Sequence, residues 1–305
     1  MIGAALSGEY NERVEGLFSK KLETINGIQI GLSTINNDVI VYAKEYPGSI
    51  KGLAKVLSIC DYVIYIPSSR MDAIDAEMAL AVEFSNVKNG VTLIDESTDT
   101  DRMDTLFKSL KISEFRKADN LGLRNLKPDK VDSLTSNSYA SIDKYFLVRG
   151  IGAVMIGFVI NGEIRRNQRY YLLPSGRQVS VKNIQIMDED KESAKRGEYA
   201  GIALNNAGEK DLAENYGLSD SCEVYDKFTA SFDPCKFYSR SVDGIDMTSA
   251  FNGREISLKK AKEDGRDIYI SSEKIPLTNP LLLMDSSIGR GKNRVIGKLK
   301  DLKPV

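Results

Sequence analysis

The 305-residue chain has no histidine, no tryptophan, three cysteines and eight prolines. Without histidine there is no imidazole base, no Ser-His-Asp triad and no histidine metal ligand. Cys60, Cys222 and Cys235 are too few for a disulfide framework or a four-sulfur zinc site. No apolar run approaches the ~20 residues of a membrane-spanning helix, and no signal-peptide pattern opens the chain. These absences point to a cytoplasmic protein with no metal site, no resident cofactor and no membrane partner.

What is present is an ordinary globular composition, 42% hydrophobic and 28% charged, with a net charge of −1. The charge is unevenly placed: −4 over residues 1–137, 0 over 138–220 and +3 over 221–305. The last stretch gathers Arg290, Lys292, Arg294, Lys298, Lys300 and Lys303 against Asp301. Such a run suits either nucleic acid or a solvated face.

Residues 1–112 alternate strand and helix signals. Ile28, Ile30 and Leu32, then Asn36-Asn37-Asp38, then Val39 to Tyr42 read as a hairpin. Ile50, Leu53 and Leu57 mark a helix face, and Tyr62 to Ile66 a buried strand. Ile74, Met78, Ala81 and Val82 mark a second helix, Val91 to Ile94 another strand, and Met103, Leu106, Phe107 and Leu110 a third helix. Helices between buried strands predict an α/β domain with a largely parallel sheet. Residues 113–137 are weakly patterned and read as a linker. Beyond Ile142 short strands alternate with turns such as Asn161-Gly162 and Ser175-Gly176, which predicts two small antiparallel β-barrels. One short helix is expected near Lys259–Glu263. The expected division is 1–137, 138–220 and 221–305.

Residues 3–10, GAALSGEY, outline a phosphate-binding loop, G-x-x-x-x-G-K-[ST]. Gly3 and Gly8 hold the spacing, but Glu9 replaces the lysine and Tyr10 the Ser or Thr. Only Met1-Ile2 precedes Gly3 as a strand on this reading, and residues 22–27 are too few for a switch loop. A second junction carries Glu45-Tyr46-Pro47-Gly48-Ser49, where translational GTPases carry D-x-P-G-H. Glu45 stands for the Mg²⁺-linked Asp and Ser49 for the His, while Pro47 and Gly48 remain. After the Val91–Ile94 strand, where N-K-x-D belongs, stand Asp95-Glu96-Ser97-Thr98; Thr98 replaces the base-reading carboxylate, unless a slip offers Asp99. Lys to Glu changes the local charge by two units beside a polyphosphate. A unit-charge contact at ~4 Å is worth roughly 4 kcal/mol at an effective dielectric of about 20. We therefore expect GTP hydrolysis to be lost and no catalytic residue to remain.

Residues 142–204 carry Phe146, Gly150, Gly152, Val154, Gly157, Gly162, Ile164, Pro174, Gly176, Gln185, Ala194, Gly197, Gly201, Ile202 and Leu204 at specific spacings. This segment resembles domain 2 of the elongation factor Tu superfamily, most of all its selenocysteine-specific branch and archaeal paralogues. With the degenerate N-terminal motifs, the resemblance covers nearly the whole chain. It implies a degenerate P-loop GTPase-like α/β domain followed by two β-barrels.

It also implies an aminoacyl-tRNA pocket at Asp143, Lys144, Phe146, Gln185, Asp188 and Tyr199. Phe146 would wall the amino-acid pocket, and Gln185 would lie near the terminal adenosine. Lys144 departs from a usual acid and Asp188 from a usual arginine. Read from the residues alone, Phe146 equally suits a core aromatic, and Gln185 and Asp188 a plain surface role. Arg149, Arg165 and Arg166 are candidates for RNA phosphates or ordinary hairpin arginines. The resemblance implies a translation protein with tRNA or the ribosome as partner. Two alternatives stay open. One is an active elongation factor using GTP and Mg²⁺ on a special aminoacyl-tRNA. The other is a regulator or scaffold that binds other translation factors.

Overall fold

The computed structural model describes residues 1–25, 27–34, 38–119, 137–278 and 280–305. The chain divides into two compact units. One comprises Ile2–Lys130, Asp226–Glu273 and Leu277–Val305; the other comprises Met1, Val131–Tyr225 and Lys274–Pro276.

The first unit opens with a seven-stranded sheet. Its elements are β1 (Ile2–Ser7), α1 (Glu12–Glu15), β2 (Phe18–Ile25), β3 (Ile28–Ser33), β4 (Val39–Ala43), α2 (Lys51–Ile59), β5 (Tyr62–Ile66), α3 (Ala73–Phe84), β6 (Asn89–Leu93), α4 (Thr100–Phe107) and β7 (Arg116–Ala118). The spatial order is β2-β3-β4-β1-β5-β6-β7. β1 pairs in parallel with β4 and β5, and β5-β6-β7 continue in parallel. β2 and β3 add an antiparallel edge. The predicted hairpin is β3–β4, although its Asn36-Asn37 turn lies outside the described residues. Connections leave β1 toward one edge and β5 toward the other, so the sheet reverses between them, where open α/β sheets form crevices.

Three expectations need correction here. Gly3 lies inside β1, not in a loop: all six residues of β1 are buried. Their apolar side chains are covered on both faces, as a central parallel strand requires. The weakly patterned stretch after 112 also contributes β7, which pairs with β6; three residues are too few to show a period. The rest of that stretch, 120–136, lies outside the described residues. Leu106, placed on the inner face of its helix, is 53% exposed, and Met103 and Phe107 alone anchor α4.

The second unit is built from β8 (Tyr139–Ser141), β9 (Lys144–Val148), β10 (Gly152–Asn161), β11 (Glu163–Arg165), β12 (Arg169–Leu173), β13 (Arg177–Ile186), β14 (Glu189–Lys191), β15 (Ser193–Lys195), β16 (Tyr199–Asn205), α5 (Glu209–Ala213) and β17 (Gly217–Ser219). β12-β17-β8-β10-β16-β13 close into a six-stranded antiparallel barrel through the β12–β13 pair. Met155, Ile184, Ile202 and Leu204 fill it; each fully buried aliphatic side chain contributes about 1.5–3 kcal/mol. A Cβ at Gly157 would fall 1.8 Å from the Ser141 carbonyl oxygen, so only glycine lets β10 approach β8 this closely. Gly162, Gly176 and Gly197 have positive φ, as their turn positions predict.

The C-terminal part of the first unit is a second closed six-stranded barrel. Its strands are β18 (Tyr225–Pro234), β19 (Met247–Phe251), β20 (Arg254–Glu263), β21 (Arg266–Ile275), β22 (Leu281–Met284) and β23 (Val295–Pro304), in order β18-β21-β20-β19-β22-β23. The expected helix at Lys259–Glu263 is the end of β20, paired residue for residue with β21. Asp264 and Gly265, both at positive φ, form the two-residue turn that suits a twisted hairpin. This barrel packs on the helices of the sheet: Lys51 Nζ meets Glu255 at 2.7 Å, and the Gly253 N–H donates to Ser58 Oγ at 2.9 Å.

Candidate functional site

Two surfaces carry the residues singled out from sequence: the carboxyl edge of the parallel sheet in the first unit, and an outer face of the barrel in the second.

At the sheet edge, the chain leaves β1 through Gly8, Glu9, Tyr10 and Asn11 and enters α1, a single turn. Asn11 Oδ1 accepts from the N–H groups of Arg13 (3.1 Å) and Val14 (3.2 Å). Two of the donors at the α1 N-terminus are therefore capped from within. The Arg13 guanidinium lies across the ends of β5 and β6. It donates to the carbonyls of Pro67 and Leu93 and pairs with Asp95 at 3.2 Å. Glu9 and Tyr10 are exposed, and the Tyr10 ring lies 5.4 Å from that of Tyr42. Burial, with Tyr10 and Glu9 nearby, pushes the Tyr42 phenol up to about 12.

Gly3 owes its identity to packing. A Cβ there would sit 2.5 Å from the Tyr62 ring and 2.7 Å from Ile40 Cδ1. The Gly3/Gly8 spacing thus joins a strand glycine to a loop glycine.

Asp95 accepts from Ser97 N–H, Ser97 Oγ and Thr98 Oγ1 at 2.7–3.0 Å. The Ser97 hydrogen bond leads the effects that hold its carboxyl below the usual value. Asp99 caps α4 through the Arg102 N–H at 3.0 Å. Both carboxylates thus shape their own turn. A magnesium-bound triphosphate needs free main-chain donors, a lysine and a small alcohol at this edge. With Glu9 and Tyr10 in those positions the edge lacks that lysine and that small alcohol.

The Glu45–Ser49 turn has a different use. Glu45 is exposed, and its carbonyl accepts from Ser49 N–H at 2.8 Å. Tyr46 and Pro47 are buried, and Gly48 is exposed. The Pro47 carbonyl accepts from Arg294 Nη2 at 3.0 Å. Arg294 enters from the second barrel and pairs with Glu77 of α3 in a two-point fork, Nη2–Oε1 2.6 Å and Nε–Oε2 2.8 Å. Both side chains are 2–3% exposed, and Tyr46 Oη donates to Glu77 at 3.0 Å. Sequence reading missed this cluster and placed Arg294 in a basic tail. The legible signal was Glu77 itself, a carboxylate on the apolar face with Ile74, Met78 and Ala81.

In the second unit, strand register decides what meets. Lys144 lies opposite Ile156, Ile156 opposite Gly201, Gly201 opposite Gln185, and Gln185 opposite Asp190. One step along, Phe146, Val154, Ala203 and Asn183 form the next row of the same face. Opposed residues share a face, and residues two apart share it too. Lys144, Phe146, Tyr199 and Gln185 therefore come together on one outer face, floored by Gly201 and Ala203. Phe146 is 43% exposed on β9, which hangs outside the closed barrel, so it is no core aromatic. The Tyr199 ring lies 4.7 Å from that of Phe158.

Gln185 Nε2 and Asn183 Nδ2 both donate to Asp190 Oδ1, at 2.9 and 2.8 Å. These two bonds, Gln185 first, hold the Asp190 carboxyl below its usual value. Asp143 precedes β9 and donates its N–H to Ile156. Asp188 sits apart with Met187 in the positive-φ turn at the tip of the β13–β14 hairpin. Arg165 pairs with Glu163 at 2.6 Å, and Arg166 reaches the Lys182 carbonyl and Glu192. Arg149 is exposed in the β9–β10 turn.

No family model matches the chain. An uncharacterized protein of Methanocaldococcus jannaschii is 28% identical over 183 residues, 58% of this chain and 58% of that protein. A selenocysteine-specific elongation factor of the same organism is 29% identical over 135 residues, 40% of this chain and 29% of the factor. The matches thus span less than two-thirds of either relative. Among solved structures, translation elongation factor SelB from Methanococcus maripaludis with the GTP analogue GppNHp superposes with a TM-score of 0.74. It is 16% identical, over 100% of this chain and 80% of that one. Its apo form gives 0.72 at 16% identity and the same coverage. A bacterial selenocysteine-specific elongation factor gives 0.68 at 15% identity, over 98% of this chain and 57% of that one. The chain therefore has the fold of the selenocysteine-specific elongation factors and, over part of its sequence, is similar to one of them.

Proposed function

We propose that the chain is a translation elongation factor-like protein that binds aminoacyl-tRNA, on or off the ribosome, through its barrels and without hydrolysing GTP. The observation that carries this reading is the contrast between its two surfaces. The outer face of the first barrel keeps an exposed aromatic, an amide and a cation over a glycine floor. At the sheet edge the same chain caps two helix N–H groups with Asn11 and straps two strand ends with Arg13. A face of this make-up suits a nucleoside and an amino-acyl side chain, with Phe146 as the apolar wall, Gln185 toward the base and Lys144 toward phosphate. Asp143 precedes β9 beside it, Asp188 stands apart at the β13–β14 turn, and Arg149, exposed in the β9–β10 turn, would add a phosphate contact.

Filter binding with aminoacyl-tRNA tests the reading. Affinity should fall as salt rises, because phosphate contacts release counterions. Phe146→Ala should weaken retention of the charged tRNA more than of the deacylated one, and Gln185→Ala should weaken both. No retention at low salt, with no sedimentation on ribosomes, would overturn it. Calorimetry with GTP and Mg²⁺ tests the other half: heat at millimolar nucleotide would favour an active GTP-dependent factor. Recovery of translation factors without any RNA would favour the scaffold.

A further inference from the structure

The second barrel carries a cluster that this reading does not use. Two of its loops meet at one end: residues 235–246, between β18 and β19, and residues 285–294, between β22 and β23. Asp285 is buried and stitches them. Its Oδ2 accepts from Tyr238 Oη at 2.8 Å and Arg240 Nη1 at 3.1 Å. Its Oδ1 accepts from Ser287 N–H at 2.9 Å and Ser287 Oγ at 2.6 Å. Arg240 also donates to Ser287 Oγ at 3.0 Å, and Asn293 Nδ2 lies 3.9 Å from Cys235 Sγ. That last contact brings its two neighbours, Lys292 and Lys236, to the same place.

Outside the stitch stand Lys236, Phe237, Arg290 and Lys292, and these four are exposed, as is Arg240 of the stitch. Phe237 is 58% exposed, and the Lys236 ammonium lies 5.0 Å from its ring centroid. Among the described residues, Lys236, Arg290 and Lys292 form no ion pair. The nearby carboxylates are engaged: Asp243 with Lys260, Asp246 with Lys259, and Asp285 with Arg240.

We propose that this end of the second barrel is a contact surface for an unpaired RNA segment, its cations on successive phosphates and a base stacked on Phe237. Three cations without an ion pair, on the same two loops as an exposed ring, match the two repeating features of a single strand, a phosphate and a planar base. A bilayer would want more than one apolar side chain, and an acidic peptide would leave the ring without a planar partner. The Asp285 stitch fixes the loops before binding, so less ordering entropy opposes it. The inference rests on the reading of the chain as an RNA-binding protein of translation, but it uses a different barrel and different residues.

The test is fluorescence anisotropy on the full chain with a labelled oligouridylate, which has neither an aminoacyl end nor a duplex. The wild type should bind with a salt slope. Arg290→Gln with Lys292→Gln should flatten that slope by about 1.4, two single-strand phosphate contacts. Phe237→Ala should weaken the single strand about tenfold and leave a hairpin duplex nearly unaffected. Lys300→Gln with Lys303→Gln, exposed cations on β23, should change nothing, and circular dichroism should find all variants folded. An unchanged slope in the Arg290/Lys292 variant overturns the inference. If that variant still retains charged tRNA in a Phe146-dependent way, the first barrel's role survives. If no RNA of any kind binds the wild type, both readings fall.

Discussion

At Arg294 and Glu77, a guanidinium and a carboxylate lie out of water and survive there because Nε and Nη2 both find acceptors, two of them on Glu77 itself. Removing one partner leaves the other buried alone. Arg294→Ala should therefore destabilise the chain by about 3–5 kcal/mol in urea unfolding, whereas Glu77→Leu with Arg294→Met should recover more than half of that loss. Gly3 and Gly8 separate the two meanings of a glycine. Gly3→Ala forces a methyl into the Tyr62 ring and should cost about 1–3 kcal/mol. Gly8→Ala meets only Ile74 Cγ2 at 3.2 Å and should cost well under half as much in the same measurement. A glycine pair in a sequence shows spacing but not which member lies in a strand, which is why Gly3 read as a loop residue. Asp285 gives the pH dependence. Burial pushes its carboxyl up, but the hydrogen bonds from Ser287, Tyr238 and Arg240 outweigh burial, so it titrates below the ordinary 3.8. A depressed carboxyl stabilises the fold above its unfolded value and loses that contribution as pH falls through the folded one. The stability gap between wild type and Asp285→Asn should be full above about pH 5 and shrink below about pH 4; a gap that widens with acid would contradict this.

Elements were legible where they were long and periodic. β5, α3 and the glycine-marked hairpins of the first barrel stand where the sequence placed them, because burial on one or two faces writes the period directly. Short or charged elements were not legible. β7 has three residues, and β20 ends in Lys-Lys-Ala-Lys-Glu, which reads as helical by propensity but is held extended by its pairing with β21. The outer face of the first barrel was half legible. Its residues could be named by resemblance, yet only register shows that Lys144, Phe146, Gln185 and Tyr199 share a face while Asp188 sits at a turn. Gly201 floors that face, and a Cβ there meets Gln185 O at an ordinary 3.9 Å. Gly201→Ala should therefore fold normally, and Gly201→Val should fold but bind charged tRNA several-fold more weakly in filter assays. Equal binding by both variants would remove the floor from the site.

For the whole molecule, composition and alternation pointed to an α/β sheet followed by two barrels, but not to which parts would pack as one. The N-terminal sheet and the second barrel form a single compact unit, joined at Ser58–Gly253, Lys51–Glu255 and Glu77–Arg294. Those contacts link residues about two hundred positions apart, and no local pattern records them. Native-state hydrogen exchange should find the amides of β5 and β23 opening together with one free energy. Separate openings would show two independent bodies.

The 217-residue interval between Glu77 and Arg294 also sets a clock on synthesis. A ribosome adding about 5–20 residues per second needs roughly 10–40 s to cover it. For that interval the nascent sheet holds a carboxylate shaped for a guanidinium not yet made. Emerging chains should then be open to proteases and chaperones until the β22–β23 hairpin leaves the exit tunnel, and only then should the α/β sheet become resistant.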